Sequence, residues 1–301
     1  MSYTFGPVAS RRFGLSLGID LSPESKTCNF DCLYCELQPA KPLKQQSNAP
    51  KVEVVVQEVQ EALAKHPQID VITITSNGEP TLYPYLEELV DRLNQIKGDK
   101  KLLILSNAST IDQEAIQKTL TKIDIVKLSL DCATHRCFKR LDRPHSSISL
   151  ERIIEGMKAF RKIYKGLLVI EILVVKGIND KEEEFAALGE VLRETSPDRI
   201  DVGTIDRPPA YNVEPVSYER LFDLAHHLQG LPVAIVAREK PKKGSISLDE
   251  DEIKSLLRHR PITRGDLELF DEKTRNRFFK LLDSGKITIQ KVGAVEFFST
   301  P

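Results

Sequence analysis

The chain of 301 residues has no tryptophan, and aromatic residues make up only 6% of it. A broad aromatic platform for stacking nucleic acid bases is therefore not expected. No apolar run approaches the roughly 20 residues of a membrane-spanning helix. The N-terminus also lacks the basic and then apolar pattern of a secretory signal peptide. We expect a cytoplasmic protein with no membrane partner.

Neither positive nor negative charge predominates in the sequence. The sequence has 43 basic and 44 acidic side chains, which gives a formal net charge of −1. This balance argues against bulk electrostatic attraction to nucleic acid or to anionic membranes, and leaves room only for a local basic patch. With 41% apolar and 29% charged residues, the composition is typical of a folded protein. The length suits one large domain, alone or with a smaller one.

Five cysteines are present, and their odd number, with no secretion signal, argues against a disulfide framework. Cys28, Cys32 and Cys35 fall within eight residues in a C-x3-C-x2-C pattern. Thiolates this close in sequence can converge on one metal centre. A closed zinc site usually needs four ligands, and the sequence has no second pair of matching spacing. A [4Fe–4S] cluster held by three thiolates leaves one iron open to a ligand, so we favour an iron–sulfur cluster.

The other two cysteines, Cys132 and Cys137, lie about a hundred residues further on. They are candidates for a second cluster or for a redox pair. Two thiols are too few for a cluster, so we expect small apolar residues at the start of a helix.

Short apolar runs alternate with helical patterns over the first two thirds of the chain, in about six β–α units. This alternation predicts a parallel sheet with helices packed outside it, as in doubly wound sheets and barrels. No G-x-G-x-x-G motif follows the first strand, which argues against a dinucleotide-binding fold. The predicted strands are 15–21, 71–75, 102–105, 125–130, 167–175 and 199–205, and the helices are 52–65, 85–96, 111–120, 150–164 and 181–194.

Polar residues follow three of these strands. Asn77-Gly78-Glu79 comes after the second strand, Asn107 after the third and Asp131 after the fourth. A glycine in such a turn gives backbone freedom and also lets a ligand approach closely. Short polar side chains at strand ends either cap the next helix or face a ligand. Both interpretations stay open on these residues alone.

The cysteine motif together with these strand ends resembles the radical S-adenosylmethionine (SAM) superfamily. The resemblance implies a partial (β/α)6 barrel, a [4Fe–4S] cluster on Cys28, Cys32 and Cys35, and SAM chelated by the open iron. It implies that Tyr34 lies near the adenine and that the Gly78-Glu79 turn offers backbone carbonyls to the SAM amine, although Asn77 replaces the family's first glycine. It also implies SAM contacts at Asn107 and Asp131, and an electron donor such as flavodoxin or ferredoxin.

Further segments resemble the branch that includes the tRNA wybutosine-synthesising enzyme. They are the opening at residues 5–14, the Ser129-Leu130-Asp131 segment and the motif at residues 140–145. The tRNA enzyme is expected to carry more N-terminal cysteines and a basic face, which this chain lacks. Five side chains are candidates for binding an anionic substrate or, equally, for structural ion pairs: Arg11, Arg12, Arg140, Arg143 and His145.

The C-terminal part follows a charged stretch, residues 238–251, that we interpret as a linker between domains 1–240 and 241–301. Helices at 252–258, 264–269 and 272–284 and a hairpin around Val292-Gly293 predict a winged helix-turn-helix. Its third helix carries Lys273, Arg275, Arg277 and Lys280. Residues 245–301 nevertheless hold ten basic and ten acidic side chains. We therefore favour substrate recognition or docking over DNA binding.

The leading hypothesis is a radical SAM enzyme, an oxidoreductase that reductively cleaves SAM and abstracts hydrogen from a tRNA base. The alternatives are an enzyme of the same class that modifies a peptide or protein, and an iron–sulfur or zinc-dependent DNA-binding regulator.

Overall fold

The computed structural model describes residues 2–10, 12–235, 246–292 and 295–301. Eight strands form one sheet, in which the spatial order follows the order along the chain. The first two strands are antiparallel, and every later neighbouring pair is parallel. The prediction of an α/β fold with a parallel sheet is thereby confirmed. The strands are β1 (Thr4–Ser10), β2 (Gly14–Asp20), β3 (Val71–Thr75), β4 (Lys101–Ser106), β5 (Ile125–Ser129), β6 (Leu167–Val174), β7 (Arg199–Thr204) and β8 (Val233–Ile235).

Seven helices accompany this sheet within the described residues, since each parallel connection needs a crossover. The first shows how such a helix forms, because Val52, Val55, Val56 and Val59 recur at helical spacing and are all buried. None of the described helices is both long and apolar enough to cross a membrane. The helices are α1 (Val52–Lys65), α2 (Leu86–Ile96), α3 (Glu114–Leu120), α4 (His135–Leu141), α5 (Leu150–Ile163), α6 (Glu182–Thr195) and α7 (Tyr218–Ala225).

The two faces of the sheet differ in polarity, because side chains alternate along each strand. Residues such as Ile72 and Ile74 on one face are fully buried in the main core beneath the helices. The opposite face carries polar side chains, and the Ser16 and Thr73 hydroxyls lie 2.7 Å apart there. This polar face is where a ligand can be accommodated.

The sheet is strongly curved. Arg12 lies in the turn between β1 and β2, and its Nη1 is 2.7 Å from Asp201 Oδ1 on β7. The guanidinium of Arg199, also on β7, lies 4.8 Å from the centre of the Phe13 ring. The turn between β1 and β2 therefore reaches β7, a strand far from it in the sheet order, across the concave face.

The C-terminal unit, residues 246–301 apart from 293 and 294, has its own apolar core around Leu248, Phe278 and Phe298. Three short strands form a second sheet in the order β10-β11-β9. The predicted helices and hairpin strands are present, and the winged-helix assignment itself stays a prediction. The elements are α8 (Glu250–His259), β9 (Ile262–Thr263), a 3₁₀ helix (Gly265–Leu269), α9 (Glu272–Asp283), β10 (Thr288–Val292) and β11 (Val295–Ser299).

The predicted linker is partly wrong. Its residues 238–245 lie outside the described residues, as does the predicted domain boundary at 240. Ile246 and Leu248, however, are buried in the second core, and Asp249 forms a capping box with Glu252 at the start of α8. The charged residues 249–252 looked like a linker because acidic side chains are also what a helix N-terminus favours.

The C-terminal unit packs against β1 and the end of α1. The Ser255 hydroxyl donates to the Thr4 carbonyl oxygen at 3.1 Å. His66 Nε2 lies 2.8 Å from Glu252 Oε1, and Lys65 Nζ lies 2.6 Å from Asp249 Oδ2. These contacts fix the first half of α8 against α1 and against β1, at the edge of the main sheet.

Candidate active site

The three motif cysteines lie in the long loop between β2 and α1 and carry free thiols. Backbone bonds tie this loop to the segment that follows α4. The Asp31 and Leu33 amides donate to the carbonyl oxygens of Asp142 and Leu141 at 3.1 and 2.9 Å, and the His145 amide donates to the Asn29 carbonyl at 2.8 Å. The motif at residues 140–145 thus supports the cysteine loop through its backbone.

Asp31, inside the cysteine motif, is a hub that the sequence analysis missed. Its carboxylate accepts hydrogen bonds from Lys26 Nζ at 2.8 Å and from the Tyr211 hydroxyl. Arg143 lies 3.4 Å from the same carboxylate and stacks on the Tyr211 ring. Burial opposes ionisation of Asp31, but these donors hold its pKa below the usual range. Arg143 therefore takes part in a structural ion pair, one of the two roles considered for it.

Of the other four candidates for anion binding, Arg11 lies outside the described residues. Arg12 is ion-paired with Asp201, and Arg140 is exposed. The ring of His145 contacts the Ser147 hydroxyl at 2.8 Å. Arg12 lies at Asp201, whereas Arg143 and His145 lie at the cysteine loop, so the described members of the group do not share one site.

The Gly78 turn is bonded directly to the cysteine loop. The Thr27 amide donates to the Asn77 carbonyl at 2.8 Å, and the Glu79 amide donates to the Thr27 carbonyl at 2.9 Å. Gly78 has φ +150°, and a Cβ there would lie 1.8 Å from the Thr27 oxygen. Glycine is needed here because the residue before the first motif cysteine packs against its backbone.

Glu79 is only 1% exposed, and its carboxylate is surrounded by protein donors. Oε1 accepts from the amide and hydroxyl of Thr81 and from the Ser106 hydroxyl, and Oε2 accepts from the Asn107 amide at 2.6 Å. Burial raises the pKa of Glu79, and these bonds oppose that rise. The side chain fixes the end of β4, so a cofactor contact at this residue would have to come from its backbone.

Asn107, held in this way, lies beside the first motif cysteine. Its side-chain nitrogen Nδ2 is 3.7 Å from Cys28 Sγ and 3.0 Å from Asn29 Oδ1. On the other side of the loop, the Cys32 thiol contacts Asp142 Oδ1 at 3.6 Å. The structure therefore brings the end of β4 and the segment after α4 to the sulfur atoms.

Tyr34 and Asp131 also meet. The Tyr34 hydroxyl donates to Asp131 Oδ2 at 2.5 Å, and Asp131 Oδ1 accepts from the Leu173 amide at 2.7 Å. Burial raises the pKa of Asp131 to about 7. All eight residues predicted for the cluster and SAM thus gather around the cysteine loop, at the carboxyl ends of β3, β4 and β5.

The thiols fit a cluster better than a single ion. Burial raises the pKa of Cys28 to about 12, so a bound metal would have to displace its proton. A tetrahedral zinc site has Zn–S bonds of about 2.3 Å, which places its sulfur atoms within about 4 Å of one another. Among the described residues, the three motif sulfurs do not all lie within 4.8 Å. The wider spacing of the three described sulfurs matches a cluster, in which each thiolate binds a different iron and one iron stays open.

The expectation for Cys132 and Cys137 is wrong in one respect. Both are buried at the start of α4, as expected, but their sulfur atoms form a disulfide. Their Cα atoms are 5.5 Å apart, within the usual range for such a bond. Glu184, which lies next to the pair, accepts hydrogen bonds from the amides of Ala133 and Thr134. An odd cysteine count excludes complete pairing but does not exclude a single local pair.

A cavity of about 680 Å³ lies on the concave face of the sheet. Its floor carries an ionic layer in which Lys127 Nζ is 2.5 Å from Glu171 Oε1 and 3.4 Å from Asp201 Oδ2. Asp201 is fully buried and also contacts Arg12 and Arg199. Glu171 has no role predicted from the sequence, and Lys127 and Asp201 were not predicted at all. The available signal was a charged residue inside each of three apolar strands, which indicates a polar barrel interior.

Comparisons with known proteins agree with this arrangement. The family model of the radical SAM superfamily matches residues 25–189. A UPF0026 protein of Helicobacter pylori strain J99 is 40% identical over 297 residues, which is 98% of this chain and 96% of that protein. The S-adenosyl-L-methionine-dependent tRNA 4-demethylwyosine synthase of Arabidopsis thaliana is 30% identical over 125 residues, which is 42% of this chain and 18% of that protein.

Among solved structures, TYW1 with a lysine–pyruvate adduct bound has a TM-score of 0.53. The sequences are 18% identical, and the match covers 71% of this chain and 72% of that one, which shows a shared fold. Members of the superfamily use a [4Fe–4S] cluster and SAM to catalyse radical reactions. The chain belongs to the radical SAM superfamily and, within it, to the family of the UPF0026 proteins.

Proposed function

We propose that Cys28, Cys32 and Cys35 hold a [4Fe–4S] cluster whose open iron binds SAM. The observation that carries this proposal is the spacing of three free thiols in a braced loop, with Asn107 and Asp142 in contact with two of the sulfurs. Tyr34, the Gly78-Glu79 turn, Asn107 and Asp131 would hold SAM. When bound, the cluster and SAM supply a reductive cleavage that yields a radical able to abstract hydrogen from a substrate.

The protein's own residues position the cofactor and exclude water from the site. Glu79 and the Gly78 turn fix the cysteine loop, and the Tyr34–Asp131 pair closes one side of the cofactor site. The cavity of about 680 Å³ lies on the same concave face and has the size of a small-molecule site. Its floor of paired charges suits a polar substrate better than an apolar one.

The first substrate to test is a tRNA base. The similarity to a tRNA-modifying synthase supports this choice, and a cavity of this size can receive a base turned out of its stack. A peptide or protein substrate is the alternative within the same class. The electron donor would be a flavodoxin or ferredoxin. We expect the enzyme to act in the cytoplasm. We also expect it to consist of two domains, residues 1–240 and 241–301.

The test is an anaerobic assay of the full-length protein. After reconstitution with iron and sulfide and reduction by dithionite, SAM is added and 5′-deoxyadenosine is quantified with and without unfractionated tRNA. We expect about four irons per chain and product from the wild type, and neither from Cys32→Ala. The double variant Cys132→Ala with Cys137→Ala removes the disulfide outside the motif and should bind iron and form product like the wild type. Zinc at one per chain with no product would contradict the proposal.

The DNA-binding regulator stays a second candidate because Lys273, Arg275 and Lys280 are exposed on α9. Arg277 on the same helix donates to the Leu248 carbonyl at 2.8 Å and so supports the C-terminal fold. Tight binding to a DNA site that is lost in Arg275→Ala, in a protein that does not cleave SAM, would favour the regulator.

A further inference from the structure

The Asp20 carboxylate holds the predicted cofactor turn in place. Asp20 ends β2 and is 1% exposed. Its Oδ1 accepts hydrogen bonds from the Ser22 amide at 2.9 Å and from the Asn77 amide at 2.8 Å. The Asn77 carbonyl in turn accepts from the Thr27 amide, directly before Cys28. A single oxygen atom therefore fixes the backbone that supports both the Gly78 turn and the cysteine loop.

The other oxygen of Asp20 faces the C-terminal unit. Oδ2 is buried and accepts no well-directed hydrogen bond from the described residues. It lies 3.1 Å from His259 Nε2, whose side chain is 8% exposed. His259 is the last residue of α8, so this contact joins the C-terminal unit to the strand that precedes the cysteine loop.

The orientation of the His259 ring is fixed from two directions. Its Nδ1 is 2.7 Å from the Ser255 carbonyl oxygen, which can only accept, so Nδ1 carries a proton, and Nε2 presents a second proton to Asp20 only as the imidazolium, which makes the contact an ion pair. The ring stacks on Phe5 with a centroid distance of 4.6 Å, and Phe5 in turn lies against Gly18, where a Cβ would be 2.2 Å from the Phe5 ring. Since the ring cannot turn away, Nε2 must face the carboxylate.

The docking interface contains a second pair of the same type. His66 is buried, and its Nε2 lies 2.8 Å from Glu252 Oε1 at the other side of α8. Asp20 and His259 line the cavity, whereas His66 and Glu252 do not. A substitution of His66 therefore tests the docking of the C-terminal unit alone, whereas a substitution of His259 tests docking and the site together.

We propose that His259 is a positioning residue for the cofactor turn. It orients the Asp20 carboxylate, which holds the Asn77 amide, so the C-terminal unit completes the cofactor site. This inference rests on the proposed function, because SAM binding at the turn is part of that proposal. It also gives the C-terminal unit a role that needs no nucleic acid.

The test compares four full-length, reconstituted proteins: wild type, His259→Ala, His259→Gln and His66→Ala. Hydrogen exchange at the Asn77 amide is measured without SAM, and the Kd of SAM is measured by anaerobic equilibrium dialysis. Loss of a charge-assisted contact predicts that His259→Ala exchanges about tenfold faster at Asn77 and binds SAM about tenfold more weakly. His259→Gln keeps an N–H donor and should stay within about threefold of the wild type. His66→Ala should lower the melting temperature and leave both readouts unchanged.

Each result decides a separate point. Wild-type values of both readouts in His259→Ala would overturn the inference, as would an equal effect of His66→Ala on Asn77 exchange. Failure of the wild type to bind SAM would sink the proposed function, and the Asn77 exchange rates would still decide the role of His259.

Discussion

The Thr27 carbonyl oxygen occupies the place where a side chain at Gly78 would begin, 1.8 Å from the position of a Cβ. Two parts of the predicted cofactor site, the cysteine loop and the turn after β3, are therefore packed directly against each other. A substitution in the turn must therefore shift the backbone next to the first motif cysteine, Cys28.

Gly78→Ala should prevent the cysteine loop from closing. The added methyl group clashes with the Thr27 backbone. We expect the free energy of unfolding to fall by about 2 to 3 kcal/mol, as for other strained substitutions in a core. Bound iron per chain and the midpoint of denaturant unfolding measure the two effects. Gly98→Ala is the matched control, because Gly98 also has positive φ but a Cβ there meets nothing within 4 Å. It should cost about 1 kcal/mol and leave iron binding intact.

Glu79→Gln should weaken the end of β4. The carboxylate accepts from four donors, whereas the amide replaces one acceptor oxygen by a donor and leaves a buried group unsatisfied. We expect a loss of about 1 to 3 kcal/mol in the free energy of unfolding. Glu190→Gln, on an exposed surface, should change it by no more than about 0.5 kcal/mol. Equal effects of the two substitutions would contradict the buried role of Glu79.

The Asp124 carboxylate should make stability depend on pH on the acid side. Partial burial opposes its ionisation, but the Leu102 amide and Lys97 stabilise the charged form and hold its pKa below the usual range. A lowered pKa gives stability that is present above about pH 4 and is lost as the pH falls through the folded-state value. Asp124→Asn should therefore cost stability at pH 7 and progressively less below pH 4. Unfolding midpoints of both proteins at several pH values test this, and a constant difference would contradict it.

Arg12→Gln should lower the stability of the protein less than Lys127→Met, although both residues lie at the floor of the cavity. Asp201 is fully buried and keeps Arg199 and Lys127 as partners, so the unfolding midpoint should fall less than in Lys127→Met. The latter removes the cation that lies between Glu171 and Asp201 and leaves two carboxylates facing each other. Thermal melts of both variants decide the order, and a larger loss in Arg12→Gln would contradict this account of the ionic layer.

Local sequence patterns were sufficient for much of the fold. The bounds of α1 and β3 agree with the prediction, since valine and isoleucine periodicity marks buried faces clearly. The edge strands β1 and β8 and the helix α7 were missed, and α4 was expected only as the start of a helix at Cys132 and Cys137, without bounds. β1 contains Gly6 and Pro7, and α4 and α7 are eight residues or shorter, so their periodic signals are weak.

The site was predicted where the chemistry is local in sequence. Three cysteines within eight residues predict a metal centre without any knowledge of the fold. The partners of those cysteines are set by tertiary packing, and nothing near Asp20 in the sequence indicates that His259 will face it. The same limit applies to the Lys127–Glu171 pair, whose two members lie on neighbouring strands far apart in the chain.

The measurement that tests the central claim most directly is Mössbauer spectroscopy of the full-length protein reconstituted with ⁵⁷Fe, before and after addition of SAM. The account predicts a [4Fe–4S] cluster in which one iron of the four changes its parameters when SAM binds, because three thiolates leave that iron open. A spectrum that SAM leaves unchanged, from a protein whose cluster is intact, would contradict the claim that this cluster binds SAM.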